Sequence, residues 1–497
     1  MDALLVASSA ALYAAAFPPL DWAPLAWIAL APLLVVVSRA SGIAAAAWGL
    51  VWGVALAIGV AGWLPGMIAR FFGASPPVAW ASFLAIAVAV LGIWGAAFGA
   101  FVQRAARRGV AHPAVLAAGF GACELGRASL GIANPWALLG TSQVGLARLA
   151  QCADLAGPYG IGMLVAGVNA CVAGAFVPAL RPRRPWRTAA CCACLLAAAL
   201  GYGAWRLAQR FDDGAERPVA LLQDEDPGLA RADGAAGLER RLALTARALG
   251  RDPALVVWPE LALGFSLRDA SAAGEHLLEA SAATHADWLI GGTDAQVWAT
   301  RTDRFNSVFL VREGRVAGRY DKARLMPFAE ENPLPRWLSS WRRPFAPGDP
   351  RYTRPLAAGG LRVGVLLCNE AMHPAYVRSL VAQGADLLVN PAYDQWFGSD
   401  GAVLQQLRIA QLRAIESRRF VVRSTTGGRA AVIDPHGRVS AALDPGASDV
   451  LVARVRGAHA TSPYQRCGDA LPLAGGALAA LALVFPLAGL RRTAQES

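Results

Sequence analysis

Residues 362–370 read Arg-Val-Gly-Val-Leu-Leu-Cys-Asn-Glu. The apolar part is too short for a helix and too uniformly apolar for a half-exposed strand, so it reads as a strand buried on both faces. It stops on a thiol, Cys368, at what would be the strand's carboxyl edge. The same grammar recurs on either side. Val219–Gln223, Ala254–Trp258 followed by Pro259 and Glu260, Trp288–Gly292, Ser307–Val311 and Asp386–Asn390 are short β-type runs that end in a polar residue, with helical stretches between them. Buried strands with reactive residues just past their ends are the layout of an α/β site.

Outside that region the composition changes. The 497-residue chain is 55% hydrophobic and 16% charged, with a mean hydropathy of +0.39, values that exclude disorder and small disulfide scaffolds. The apolar excess sits at the two ends. A span needs about 20 mostly apolar residues, and seven such runs fall near 3–20, 22–38, 43–69, 77–102, 112–130, 159–180 and 188–205, with an eighth near 470–490. The expected organisation is a membrane region over 1–208, a water-facing domain over 209–468, and a last span with a short tail over 469–497. The first run lacks a basic start, Asp2 being its only charge, so it reads as a span rather than a signal peptide.

The net charge of +11 is concentrated in short loops. Arg39, then Arg104, Arg107 and Arg108, then Arg181, Arg183, Arg184 and Arg187, then Arg491 and Arg492 all fall on one side of the alternating spans, whereas the opposite loops carry little beyond Arg70 and Arg148. The positive-inside rule puts both termini in the cytoplasm and 209–468 on the far side of the membrane. Basic residues placed this way mark topology and give no basic face for nucleic acid. Glu124 and Arg127, one turn apart within the fifth span, are expensive there unless paired or facing a cavity, and are expected to form a buried pair lining the bundle, with a direct substrate contact as the alternative.

Among eight cysteines, Cys191, Cys192 and Cys194 occupy an apolar helix without a nearby His or acid, and read as small buried hydrophobes rather than metal ligands. The six histidines are scattered, so neither a metal nor another cofactor is expected. Cys368 and Cys467 lie in the outer domain, where a disulfide between them is the inert alternative to a reactive thiol.

Two residues join Cys368 as candidates. Glu260 follows Val-Val-Trp-Pro, and a carboxylate beside Trp258 and Pro259 would be partly desolvated and made more basic. Lys322, in Tyr-Asp-Lys-Ala-Arg-Leu-Met-Pro-Phe, is the only lysine of a chain with 46 Lys and Arg. A sequence that uses arginine wherever a cation suffices retains lysine for something a guanidinium fork cannot do, such as close approach of a point charge to an oxyanion. His373, five residues after the thiol, offers a Cys–His alternative.

Glu260, Lys322 and Cys368, in that order, resemble the triad of the nitrilase superfamily. Met-Pro-Phe-Ala-Glu (326–330), Tyr-Asp-Gln-Trp-Phe-Gly (393–398), Arg-Ala-Ile-Glu-Ser-Arg-Arg (413–419) and Ser-Pro-Tyr-Gln-Arg-Cys-Gly-Asp (462–469), together with Phe-Pro-Pro-Leu-Asp-Trp (17–22) and Asn-Pro-Trp-Ala-Leu-Leu-Gly-Thr-Ser-Gln (134–143), narrow the likeness. With seven spans before the domain and one after it, the whole chain resembles the apolipoprotein N-acyltransferases.

The resemblance implies an α/β protein in which a multi-span helical bundle carries an inserted αββα nitrilase-like sandwich. It implies a monomer in the bacterial inner membrane with a periplasmic catalytic domain, a phospholipid acyl donor, a diacylglyceryl-cysteine lipoprotein as acceptor, and a Cys368 thioester between them. Glu260 would be the general base and Lys322 the oxyanion partner. Glu330, Asn369 and Glu370 would support them, with Glu330 orienting Lys322 or the amine, and Trp258, Trp396 and Phe397 would contact substrate.

The sequence departs from the family pattern at Asn369, where a Tyr is usual, at Ala329, which replaces a Gly, at Leu-Gln-Asp-Glu-Asp (222–226), and at Thr425 to Gly428, where an Asn-Gly pair is common. These changes leave two rival readings: a divergent relative that acylates another amine or hydrolyses an amide, and a silent binder of lipids or lipoproteins.

Overall fold

The computed structural model describes residues 1–225, 234–297, 299, 302–332, 345–349 and 353–485. Asp226, Arg491 and Arg492 lie outside them, as does the end of the eighth expected span. The chain divides into two compact units, Arg210–Gln465 and a second made of Met1–Gln209 with Arg466–Ser497.

The first unit is built on β1 (Glu216–Asp224), β2 (Leu255–Val257), β3 (Asp287–Val297), β4 (Thr302–Arg312), β5 (Arg315–Asp321), β6 (Leu356–Ala358), β7 (Leu361–Val365), β8 (Leu387–Tyr393), β9 (Phe420–Thr426), β10 (Ala431–Ile433), β11 (Val439–Ala442) and β12 (Asp449–Arg456). Pairing gives one path β12-β1-β2-β3-β4-β5 and another β11-β10-β9-β8-β7-β6, joined where Gln223 and Asp224 pair with Thr425 and Thr426. Within them β1, β2 and β3 run parallel, as do β7, β8 and β9.

Alternation along the strands fixes the layers, because successive side chains point to opposite faces. Val219, Leu221, Leu255 and Val257 from one half meet Val363, Val365, Leu387, Val389 and Val422 from the other in a shared core. The residues between them point outward. Ala220, Leu222, Val256 and Trp258 pack under helices Gly234–Leu249 and Ala272–Ala282, which supply Leu238, Leu244, Ala248 and Leu277. Leu388 and Val421 pack under helices Pro374–Ala382 and Asp400–Ser417 through Val377, Leu380, Leu407 and Ala410. The result is an αββα sandwich. Each fully buried Val or Leu contributes about 1.5–3 kcal/mol, so the runs read as doubly buried strands supply both the inner and the outer cores.

The second unit is helical. Gly42–Ala61, Pro76–Arg107, Ala153–Phe176 and Pro185–Leu207 are long and apolar enough to cross a membrane. The other expected spans are shorter in the structure. Asp2–Ala15 stops ahead of Pro18 and Pro19, and its 14 residues reach about 21 Å at 1.5 Å each, against about 30 Å of hydrocarbon. The 43–69 run is divided at Gly62 and Trp63 into Gly42–Ala61 and Leu64–Phe72. The 22–38 run is three short helical pieces, Ala23–Leu25, Ala26–Ala29 and Ala31–Arg39, and Pro113–Ser129 has 17 residues. Apolar composition continues across these breaks, which is why hydropathy alone merges them. Gly42–Ala61 and Pro76–Arg107 pack backbone to backbone: a Cβ on Gly49 would lie 2.1 Å from the Gly95 carbonyl oxygen, so only glycine permits the approach.

Glu124 and Arg127 are both buried, 3.9 Å apart. Both also hold the chain around 134–139. Glu124 Oε1 accepts from the Leu139 N–H at 2.6 Å and from the Tyr13 hydroxyl at 3.4 Å, while Arg127 donates to the carbonyls of Asn134 at 2.9 Å and Trp136 at 2.6 Å. Backbone that is not helical needs such partners in an apolar surrounding.

Candidate active site

Three strand ends bring the chemistry together. Glu260 stands three residues past β2, Lys322 directly follows β5, and Cys368 comes three residues past β7, at the start of the 3-10 turn Cys368–Met372. All three are buried, with 3%, 2% and 5% of their surface exposed. Cys368 adopts φ +48°, the left-handed region, where a non-glycine residue persists only if its surroundings enforce it.

Lys322 Nζ donates to Glu260 Oε1 at 2.8 Å and lies 3.0 and 2.8 Å from the two oxygens of Glu330. Asn306, from β4, donates through Nδ2 to Glu260 Oε1 and to Glu330 Oε1, both at 2.8 Å. Its backbone carbonyl accepts from the Lys322 N–H at 2.8 Å, which locks the root of the lysine to the neighbouring strand. Glu260 Oε2 accepts from the Tyr393 N–H at 3.1 Å, and Glu330 Oε2 from the Met326 N–H at 2.7 Å. The cluster holds two carboxylates and one ammonium.

Glu370 ties the lysine segment to the nucleophile turn. Its Oε1 accepts from the N–H groups of Ala323 at 2.8 Å and Arg324 at 2.9 Å, and its Oε2 from the Leu367 N–H at 2.7 Å and from the Tyr320 hydroxyl. Tyr320 in turn meets the Tyr376 hydroxyl at 2.8 Å. Asn369 Nδ2 donates to the Arg324 carbonyl at 3.1 Å. Beneath the nucleophile, Asn390 Nδ2 donates to the Cys368 carbonyl at 3.2 Å, and its Oδ1 accepts at 2.6 Å from Arg423, which is ion-paired with buried Asp394.

Burial dominates the electrostatics. It raises Glu260 above the ordinary carboxylate range against the lowering effect of Lys322, and raises the Cys368 thiol well above its usual value, with Glu260 adding to the shift. For Lys322 burial works the other way, but Glu260, Glu330 and Cys368 together outweigh it and hold the ammonium protonated. Glu370 is pushed by burial up to about 7. His373 is pushed down to about 4 by burial and by Arg324 and Arg413. The strongest charged influences on Cys368 are Glu260, Lys322, Asp394 and Arg423.

This arrangement supports nucleophilic acyl chemistry: a thiol, a basic carboxylate and a cation that does not give up its proton. Residues 219–462 match the carbon-nitrogen hydrolase family, and residues 9–171 match the apolipoprotein N-acyltransferase N-terminal domain. A Geobacter metallireducens apolipoprotein N-acyltransferase is 30% identical over 503 residues, covering 97% of this chain and 95% of its own. The chain belongs to the apolipoprotein N-acyltransferase family. Proteins of the same name from Caulobacter vibrioides and Bradyrhizobium diazoefficiens are 31% and 32% identical over 77% and 73% of the chain, covering 74% and 70% of their own lengths. Among solved structures, Saccharomyces cerevisiae Nit3, of the nitrilase superfamily, is similar with a TM-score of 0.40 and 19% identity over 50% of this chain and 93% of its own.

The structure corrects one expectation. Trp258 has no exposed surface, stacks on Trp288 at 6.2 Å and donates its indole N–H to Thr245 Oγ1 at 3.0 Å. The alternation along β2 turns it into the helix-covered core, away from any substrate contact. Trp396 and Phe397 form a tilted pair with centroids 5.0 Å apart on the turn Gln395–Phe397; Phe397 is fully buried and Trp396 half-buried. Cys368 and Cys467 are both free thiols.

Four residues escaped the sequence reading as members of the site: Asn306, Asn390, Asp394 and Arg423. Asn306 carried a usable signal, since asparagine is depleted in strand interiors and this one sits mid-strand in Arg-Phe-Asn-Ser-Val.

Proposed function

We propose that this protein transfers an acyl chain from a phospholipid to the α-amine of a diacylglyceryl-cysteine lipoprotein, through a thioester on Cys368. The observation that carries this reading is the buried Glu260–Lys322–Glu330 cluster beside a strained cysteine, in a chain that also carries four helices of spanning length.

Glu260 takes the Cys368 proton as sulfur attacks the ester carbonyl. Lys322 faces the resulting oxyanion, and the Asn369 backbone N–H, the first after the nucleophile in the turn Cys368–Met372, is placed to serve as a second donor. The ester C–O bond breaks, Glu260 returns the proton to the departing oxygen, and a lysophospholipid leaves. The lipoprotein amine then attacks the thioester, Glu260 receives a proton from nitrogen, the C–S bond breaks, and the proton passes to the sulfur. Glu330 orients Lys322 and keeps it charged. A bilayer-held enzyme spares both substrates an extraction costing about 0.8 kcal/mol per CH₂.

The arginine distribution supports cytoplasmic termini, a periplasmic catalytic unit and an inner-membrane location. Reporter fusions at residue 209 and at the C-terminus test the topology. Release of lysophospholipid with N-acylation of a synthetic diacylglyceryl-cysteine peptide, in wild type and in Cys368→Ala, tests the activity. Acylation only by wild type is expected. Lysophospholipid release without peptide acylation would instead favour a different acceptor.

A further inference from the structure

Asn369 is 2% exposed, and its carbonyl oxygen Oδ1 has no hydrogen-bond partner among the described residues. The amide's orientation is fixed chemically. Nδ2 donates to the Arg324 carbonyl at 3.1 Å, and only nitrogen can play that part, so oxygen is the group left over. A buried acceptor without a partner costs about 1–3 kcal/mol.

The amide spans a seam in the site. Its own residue follows the nucleophile, about 3.8 Å away along the chain, and it is clamped to a carbonyl two residues beyond Lys322. Cys368 is itself only 5% exposed, so both groups are buried in the one turn Cys368–Met372.

The two proposed half-reactions differ in what they bring to this oxygen. The ester carbonyl of a phospholipid presents acceptors only and cannot satisfy Oδ1. The amine that attacks the thioester carries N–H bonds, and its nitrogen gains positive charge as the new C–N bond forms. We propose that Asn369 Oδ1 accepts a hydrogen bond from the incoming amine, making Asn369 a binding residue for the acceptor in the second half-reaction. The inference rests on the acyl-transfer reading above and adds the group that receives the amine.

Intact mass of the purified full chain separates the halves. Phospholipid is added to wild type, Asn369→Leu and Asn369→Ala, and the rate of the acyl increment is followed; a diacylglyceryl-cysteine peptide is then added at saturation and the rate of discharge is followed. In both variants discharge is expected to slow at least tenfold more than acylation does. Ala serves if Leu does not fold. Equal discharge in wild type and variants, or acylation falling as far as discharge, overturns the proposal. No acyl increment on wild type would remove the acyl-transfer reading itself and the proposal with it.

Discussion

Two buried charge clusters, one in each unit, follow different rules. In the helical unit Glu124 and Arg127 are matched one to one, and they hydrogen-bond to backbone groups and to the Tyr13 hydroxyl. In the sandwich a single ammonium faces two carboxylates, and an asparagine donates to both acids. The first arrangement is neutral and holds chain. The second carries an excess negative charge that a thiol proton or a developing cation can relieve. Charge balance, more than burial, separates a structural cluster from a reactive one.

The largest effect that would break this contrast is at Lys322. Lys322→Arg keeps the charge but replaces a point donor with a broad fork between Glu260 and Glu330, so acyl-enzyme formation should fall by about 10³-fold or more with folding intact. Near-normal turnover, measured as lysophospholipid release, would remove the oxyanion role.

Glu124→Leu is the opposite case. It strands the Arg127 guanidinium and should lower stability by about 3 kcal/mol, read as an earlier thermal transition in detergent, while the turnover of the folded fraction changes little. A large loss of turnover at unchanged stability would place Glu124 in the chemistry.

Glu370 sharpens the comparison through pH. Its folded pKa of about 7 lies above the unfolded carboxyl, so between roughly pH 4.5 and 7 the folded protein holds a proton that the unfolded chain has released. Stability therefore falls as pH rises through that window, by about 3 kcal/mol in total. Urea unfolding across pH 5–8 should show this slope, and Glu370→Gln should flatten it. The smallest effect is expected from Glu330→Gln, which keeps an oxygen near Lys322 but removes one charge: about a tenfold loss in kcat with KM unchanged, checked by steady-state kinetics.

What the sequence revealed follows the same division. Glu260 and Cys368 stood out because each ends or closely follows a short apolar run, and Lys322 because it is the only lysine. Asn390 and Arg423 were not, because their meaning depends on parallel pairing of β8 with β9, which sets Asn390 opposite Arg423. Trp258 was misread since the neighbouring Glu260 faces the site while strand alternation buries the indole. The helix breaks at Gly62 and Trp63 fall inside uninterrupted apolar sequence, so nothing in hydropathy marks them.

The thioester on Cys368 is tested most directly by peptide mapping with tandem mass spectrometry of the wild-type chain after brief incubation with a phospholipid of defined acyl length, beside a parallel sample given a diacylglyceryl-cysteine lipopeptide. A hydroxylamine-labile acyl group is expected on the peptide bearing Cys368 and on no other cysteine peptide. An acyl group on another residue, or none while the lipopeptide is still acylated, would contradict it.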